Sequence, residues 1–396
     1  MKKITADWLF PVSSPPIAQG VLVVEETTGK ILAIEPRSQH DLASLQIHRG
    51  IITPGFVNAH CHLELSHLKG KIATGTGLIP FISGVVSQRS ATPEQIQEAI
   101  EQAEAEMLAG GIVAVGDISN ATDTFLQKSK GNLRYYTFVE MFDFLQDERA
   151  VAAFEQYKTV LDVAPDIAKN KKSAVPHAPY SVSKLLFEKI NQQNARQLGG
   201  CTVSIHNQET SAENELFYHK KGQFLNFYKN FGISLDTFEP TQKSSIHYAL
   251  ANLNPANRHL FVHNTLTTEA DIQAAHAWSD QVFWATCANA NLYIENKLPD
   301  YQLFINQNAR MTIGTDSLSS NWQLSVLEEM KTIARYQSNL SAETLVRWAT
   351  LHGAQALGFD DELGSLEVDK IPGINLIENM SQDHIFNTKT SVQRLF

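Results

Sequence analysis

Cysteine is scarce in this 396-residue chain: Cys61, Cys201 and Cys287 are its three, set far apart. That is too few for a disulfide framework, and the spacing offers no paired zinc knuckle, so a reducing cytoplasm is the expected compartment. Positive charge is also short. The 32 Lys and Arg stand against 42 Asp and Glu, a formal charge of −10, and they are scattered along the chain. Nucleic acid and anionic membrane surfaces require concentrated Lys and Arg, so neither is expected as a partner, and a small molecule becomes the default ligand. No hydrophobic run reaches transmembrane length. The apolar run after Lys2 and Lys3 carries Asp7 and is broken by Pro11, so it is not expected to serve as a signal-peptide core. Internal repeats and low-complexity stretches are lacking as well, and no G-x-G-x-x-G marks a strand-to-helix turn, which weighs against a doubly wound nucleotide-binding sheet.

What remains is an ordinary globular composition, 43% hydrophobic and 19% charged, long enough for one large domain or for a barrel with a small companion. Residues 1–52 alternate short β-rich runs with turn residues and read as a small β-structure. Beyond Pro54, strand-like apolar runs recur at "GFVNAH", "GIVAVGDIS", "RYYTFVEM", "SAVPHAPY", "CTVSIHN", "HLFVHN", "QVFWATC" and "RMTIGTDS", with helical patterns in several of the gaps. One helix is predicted from Thr92 as N-cap and Pro93 as first residue, with Ile96, Ile100, Ala103 and Met107 on one face and Gly110 at its end. Another is predicted to begin at Ser341 and run through "AETLVRWATLHGAQALG". Strands alternating with helices over this length predict an α/β fold, a (β/α)8 TIM-like barrel with its active site at the carboxyl ends of the strands.

Side chains alternate across a strand, so the ionisable residues can be assigned to faces. His60 and His62 share a face with Phe56 and Asn58, while Cys61 points the other way. His206, His263 and Asp316 each stand at the carboxyl end of a run, opposite an apolar face suited to packing under helices. In a barrel they converge at one mouth. Three imidazoles and a carboxylate suit one divalent ion, most simply Zn2+, with Fe2+ or Mn2+ also compatible. An isolated His-x-His is a weak signal; four groups at four strand ends are not. Glu209, three residues after His206, is the expected general base, the competing reading being a solvated loop carboxylate beside Glu213 and Glu215. His263 and Asp316 are expected to assist catalysis by orienting water and stabilising developing charge.

These motifs, "PGFVNAHCH", the His206 to Glu209 pair, "VHNTLTTEADI" and "GTDSLSSN", resemble the amidohydrolase superfamily over nearly the whole chain, in the branch of nucleobase and nucleoside deaminases and triazine chlorohydrolases. The resemblance implies a barrel over residues 53–361 and a composite β-sandwich from residues 1–52 and 362–396. It implies one metal on His60, His62, His206 and Asp316, with Glu209 and His263 as acid-base partners, and a homodimer. A carboxylated lysine, used by some two-metal relatives at the end of the fourth strand, has His177 in its place here. Together "HCHLELS", "PHAPYSVS" and "GTDSLSSN" are most similar to aminodeoxyfutalosine deaminases of menaquinone biosynthesis, which remove the exocyclic amine of an adenine-type ring. That likeness implies substrate contacts from Glu64 and His177; for Glu64, pairing with Lys69 or Lys71 is the alternative.

Two departures stand out: "CANAN" replaces the Cys-Pro-x-Ser-Asn of many relatives, and "DKIPGIN" replaces a Gly-Lys-x-Ala-Asp run. The insertions at residues 64–91 and 210–246 are expected to act as lids. Phe224, Phe227, Tyr228 and Phe231 have helical spacing and are expected to form a packing face rather than a ring-stacking shelf. The competing functions are hydrolysis of an amide or displacement on a triazine ring by the same site, and a binding barrel without catalysis.

Overall fold

The computed structural model describes residues 1–167, 169–197, 199–381 and 384–396. The chain is a mixed α/β protein built around parallel strands that coincide with the apolar runs of the sequence: β1 (Phe56–Cys61), β2 (Ile112–Ser119), β3 (Arg134–Met141), β4 (Lys171–Pro176), β5 (Thr202–Asn207), β6 (Arg258–His263), β7 (Val282–Thr286) and β8 (Met311–Ile313). They pair in chain order as two four-stranded sheets, β4-β3-β2-β1 and β5-β6-β7-β8. Strands such as β1, β2 and β5 are buried along their whole length, which is why they read as nearly continuous apolar runs.

Backbone hydrogen bonds also cross between the two sheets. His206 N donates to His177 O (3.0 Å) beside β4 and β5, and the amides of Thr315 and Asp316 both donate to His60 O (3.0 and 3.1 Å) beside β8 and β1. Those crossings fall at the carboxyl ends, at the residues singled out in the sequence.

Helices follow the strands and cover them. After β1 come α1 (Leu78–Gln88) and α2 (Pro93–Ala109). The start of α2 is a capping box: Thr92 Oγ1 accepts from Gln95 N (3.3 Å), and Gln95 Oε1 accepts from Thr92 N (3.1 Å). Ile100, Ala103 and Met107 are buried and Ile96 is half-buried, as the periodicity predicts. The helix expected from Ser341 is interrupted: Ala342–Arg347 passes through a π-turn at Trp348–His352 into Gly353–Leu357. The wider turn lets His352 Nδ1 approach Met311 O (2.9 Å), and it brings Gly353 so close to β1 that an added Cβ would sit 2.9 Å from Val57 Cβ. Packing against β1 has overridden regular α-helix spacing.

A second core lies between two smaller sheets. One contains Lys2–Thr5, Gly20–Val24, Ile31–Pro36 and Gln46–Ile47; the other joins Trp8–Leu9, Ile17–Ala18 and Ile51–Pro54 to Ile374–Glu378 and Ser391–Arg394. Leu9, Leu22, Ile52, Ile374 and Leu376 are buried together there. Ile51–Pro54 runs antiparallel to Ile374–Glu378 and then leads straight into β1. Among the described residues no helix is long and apolar enough to cross a membrane.

Candidate active site

At the carboxyl ends of the strands three imidazole nitrogens face one another. His62 Nε2 lies 3.2 Å from His60 Nε2 and 3.2 Å from His206 Nε2, and Asp316 Oδ1 lies 3.4 Å from His62 Nε2 and 3.8 Å from His60 Nε2. Parity therefore placed them on a common face. His206 donates its Nδ1 proton to His177 O (2.8 Å), which leaves Nε2 as a lone pair pointing into the cluster. Burial, the first cause in each case, holds His60 and His206 well below the usual histidine range and lowers His62. Neutral imidazoles with converging lone pairs repel unless a cation lies between them, so this donor set fits a divalent metal.

The backbone around these groups is strained and locked. His263 (φ 73°) and Asp316 (φ 56°) occupy the left-handed region, uncommon for residues with a Cβ. Asn58, on the same face of β1 as His60, holds the Asp316 turn by accepting from Thr315 N (3.0 Å) and donating to Thr315 Oγ1 (2.7 Å). Ser320 Oγ donates to Asp316 Oδ2 (2.6 Å), which turns Oδ1 towards the histidines. His263 Nδ1 meets Asn291 Oδ1 at 2.8 Å, so Nδ1 carries the proton and Nε2 presents a lone pair, 3.7 Å from Glu209 Oε1.

Glu209 is 4% exposed, not a solvated loop carboxylate. Its turn is fixed from behind by Glu213, whose two oxygens accept from Gln208 N (3.2 Å) and Glu209 N (3.1 Å). Burial first, and then the charge of Asp316, raise the Glu209 carboxyl well above the usual range, which suits a group that must accept and return a proton.

The cluster forms the floor of a cavity of about 230 Å³. Both insertions contribute to its walls: Phe81, Ile82 and Val85 come from α1, and Phe227 and Tyr228 from α3 (Gln223–Asn230). The aromatic set divides its work. Phe224 is buried and stacks on Tyr180 (centroids 4.3 Å apart), whereas Phe227, Tyr228 and Phe231 line the cavity.

Residues 51–395 match the Amidohydrolase family. The chain belongs to that family. It is similar to an adenosine deaminase of Helicobacter pylori, 28% identical over 81% of this chain and 77% of that one. Among solved structures it is similar to the Helicobacter pylori aminofutalosine deaminase in complex with methylthio-coformycin, with a TM-score of 0.81 and 25% identity over 96% of this chain and 93% of that one. An adenosine deaminase of Xanthomonas campestris with bound zinc shares the fold, with a TM-score of 0.69 and 24% identity over 95% and 84% of the two chains.

In this amidohydrolase the two substrate candidates from the sequence part company. His177 lines the cavity, its Nδ1 2.6 Å from Ser181 Oγ. Glu64 does not line it: Oε1 binds Arg89 (2.6 Å), and Oε2 accepts from Asn120 N and Ala121 N (3.0 and 3.2 Å). Nor does Glu64 pair with Lys69, which instead meets Glu106 at 3.3 Å. Its work is to hold Arg89, which borders the cavity.

Three residues at the site of the amidohydrolase were not singled out from sequence. Asn291 is the last residue of "CANAN"; it lies in α4 (Ala288–Glu295), where the substituted Ala288 and Ala290 are fully buried. Arg89 left no signal, because its partner is set by the folding of the loop. Glu140 ends "RYYTFVEM" and obeys the strand-end rule that found the histidines, so it was open to detection. It is 3% exposed, and burial pushes its carboxyl up to about 8.

Proposed function

We propose that this protein is a metal-dependent hydrolytic deaminase that removes the exocyclic amine of an adenine-type nucleoside, with aminodeoxyfutalosine as the first substrate to test. The observation that carries the reading is the opposition of Glu209 Oε1 and His263 Nε2, 3.7 Å apart, beside the three-imidazole cluster on the floor of a largely apolar cavity. The deaminases it resembles support the choice of bond and ring. His60, His62, His206 and Asp316 would hold the ion, most simply zinc. When bound, the ion supplies the Lewis acidity that makes water a nucleophile at neutral pH.

Each of the chain's own groups then has a task. Glu209 takes a proton from the attacking water at Oε1, delivers it to the ring nitrogen beside the reacting carbon, and assists the departure of ammonia. His263, kept in one tautomer by Asn291, accepts a hydrogen bond from that water at Nε2. With the water's two protons taken up by Glu209 and His263, its lone pair is aimed at the ring, and Asp316, its Oδ2 held by Ser320, adds negative charge beside it from its place in the metal-binding set. The apolar walls exclude competing water and receive the rest of the nucleoside. The crossing hydrogen bonds between the two sheets support a closed (β/α)8 barrel over residues 53–361. The strands shared by both ends of the chain support a composite sandwich from residues 1–52 and 362–396.

The test is ammonia release by metal-loaded protein from aminodeoxyfutalosine, adenosine, methylthioadenosine and S-adenosylhomocysteine. Glu209→Gln is expected to keep its metal while losing about 10²–10⁴-fold in kcat, the usual share of a general acid-base group. Silence on all four nucleosides would reject the reading in favour of amide or triazine hydrolysis.

A further inference from the structure

Two motifs of the sequence hold asparagines that the reaction itself does not use. Asn321 closes "GTDSLSSN", and Asn289 is the middle residue of "CANAN". Both are buried, and both turn towards one carboxyl, that of Glu329 on α5 (Val326–Tyr336). Glu329 is fully buried and lies outside the cavity. Its Oε2 accepts from Asn289 N (2.9 Å) and its Oε1 from Asn321 Nδ2 (2.8 Å). On the same face of α5, Thr332 Oγ1 donates to Asn289 Oδ1 at 2.6 Å.

Each asparagine passes this grip on to a group at the floor of the cavity. The first turn of α4 has no side-chain cap of its own, so Glu329 supplies the acceptor for one of its free amides. That turn carries Asn291, whose Oδ1 fixes the tautomer of His263. Asn321 spends the second hydrogen of Nδ2 on Thr315 O (2.8 Å), in the strained turn that presents Asp316 at φ 56°. His263 and Asp316 come from the ends of different strands, and α5 reaches the supports of both.

We infer that Glu329, assisted by Thr332, is a positioning residue that holds His263 and Asp316 in register with each other across the site. The inference rests on the reading of the protein as a metal-dependent deaminase, in which both groups border the attacking water. A carboxyl is specifically required. Two donors converge on Glu329, and each carboxyl oxygen keeps a lone pair whether or not the group is protonated, whereas an amide nitrogen offers none. Gln in its place must therefore set an NH2 group against Asn289 N–H or against Asn321 Nδ2. Turning Asn321 over does not relieve the second clash, because its Oδ1 would then face Thr315 O. Either way, one support of the site has to shift.

The experiment measures kcat and KM for ammonia release, and the half-time of zinc loss to EDTA, in zinc-loaded wild type, Glu329→Gln and Thr332→Val. Leu376→Ala, in the second core, controls for a general loss of stability. Glu329→Gln is expected to lower kcat about 10-fold, the cost of a buried hydrogen bond left unmade, with KM within about two-fold. Its zinc half-time should shorten several-fold, because Asp316 moves. Thr332→Val reaches only the His263 side, so it is expected to lower kcat about 3-fold with zinc retention unchanged, and to cost nothing further in an Asn291→Ala background. Wild-type kcat in Glu329→Gln would overturn the inference, as would an equal loss in Leu376→Ala, which would assign the effect to stability. Should Glu329→Gln fail to fold, the pair Thr332→Val and Asn291→Ala decides, and additive losses overturn the inference. If wild type deaminates none of the four nucleosides, the deaminase reading falls and zinc retention tests Glu329 by itself: an unchanged half-time in Glu329→Gln then overturns this inference as well.

Discussion

Asn291 decides which nitrogen of His263 can work. Its Oδ1 accepts the Nδ1 proton at 2.8 Å, and its Nδ2 also faces His263 O at 3.5 Å, so the ring and the strained backbone at φ 73° are held by one side chain. Asn291→Ala is expected to lower kcat by about 10- to 100-fold while bound metal and KM change little, because the other tautomer would present a proton where a lone pair is required. A variant with unchanged kcat would show that the backbone alone fixes His263. At this scale much of the site was legible. His60, His62, His206, His263 and Asp316 could be found because a strand has a period of two and each residue stands at a strand end. The fate of Glu64 was not, since its partners Arg89 and Asn120 lie 25 and 56 positions away and meet it only after the loops fold.

Among the elements, α1 depends on a group borrowed from another part of the chain. Its N-terminus follows Gly77 (φ 80°) without a side-chain cap of its own, and Glu295 at the end of α4 accepts from Leu78 N at 2.8 Å instead. Tyr293 on the same helix donates to Ile72 O (2.5 Å), and Tyr293 O and Ile294 O accept from Gly75 N (2.6 Å) and Gly77 N (3.0 Å), so α4 anchors the first insertion through both side chains and backbone. Glu295→Ala should therefore loosen α1 by about 1 kcal/mol, the usual cost of losing a cap. The expected signature is a several-fold higher KM and faster proteolytic cleavage within residues 72–91, with little change in kcat. Unaltered cleavage would show that α1 is held by its apolar face and the other hydrogen bonds to α4, without need of Glu295. The sequence made α2 legible down to its cap, because Thr92, Pro93 and Gln95 are local signals. The break at Trp348–His352 was invisible because its cause is contact with Val57 on β1, nearly three hundred residues away.

Over the whole molecule, alternation of strands and helices revealed the α/β architecture, while the pairing of Ile51–Pro54 with Ile374–Glu378 lay beyond any local pattern. The molecule also gathers buried ionisable groups of opposite tendency, and their sum sets how stability varies with pH. Burial lowers the pKa of His60, His62, His206 and His263 and raises that of Glu213 to about 7 and of Glu140 and Glu329 to about 8. As pH falls below about 6.5, unfolded histidines bind protons that the folded ones refuse, so stability drops with acid. At pH 6.5 an unfolded imidazole is still half protonated and the histidines oppose the carboxyls; from about pH 7.5 the imidazoles are nearly neutral in both states and the carboxyls govern. Glu140, Glu213 and Glu329 have folded values above the unfolded 4.5, so the folded state binds more protons; their contribution is complete below pH 4.5 and is lost as pH rises through about 7 and 8. Urea unfolding of chelator-treated protein should thus give a free energy that declines from about pH 7.5 to 8.5, by at most about 1.4 kcal/mol per pH unit for each proton released. The self-repulsion of a chain with formal charge −10 acts in the same direction. A stability that is flat or rising over that interval would mean that these carboxyls are already ionised in the folded protein, their hydrogen-bond donors having outweighed burial.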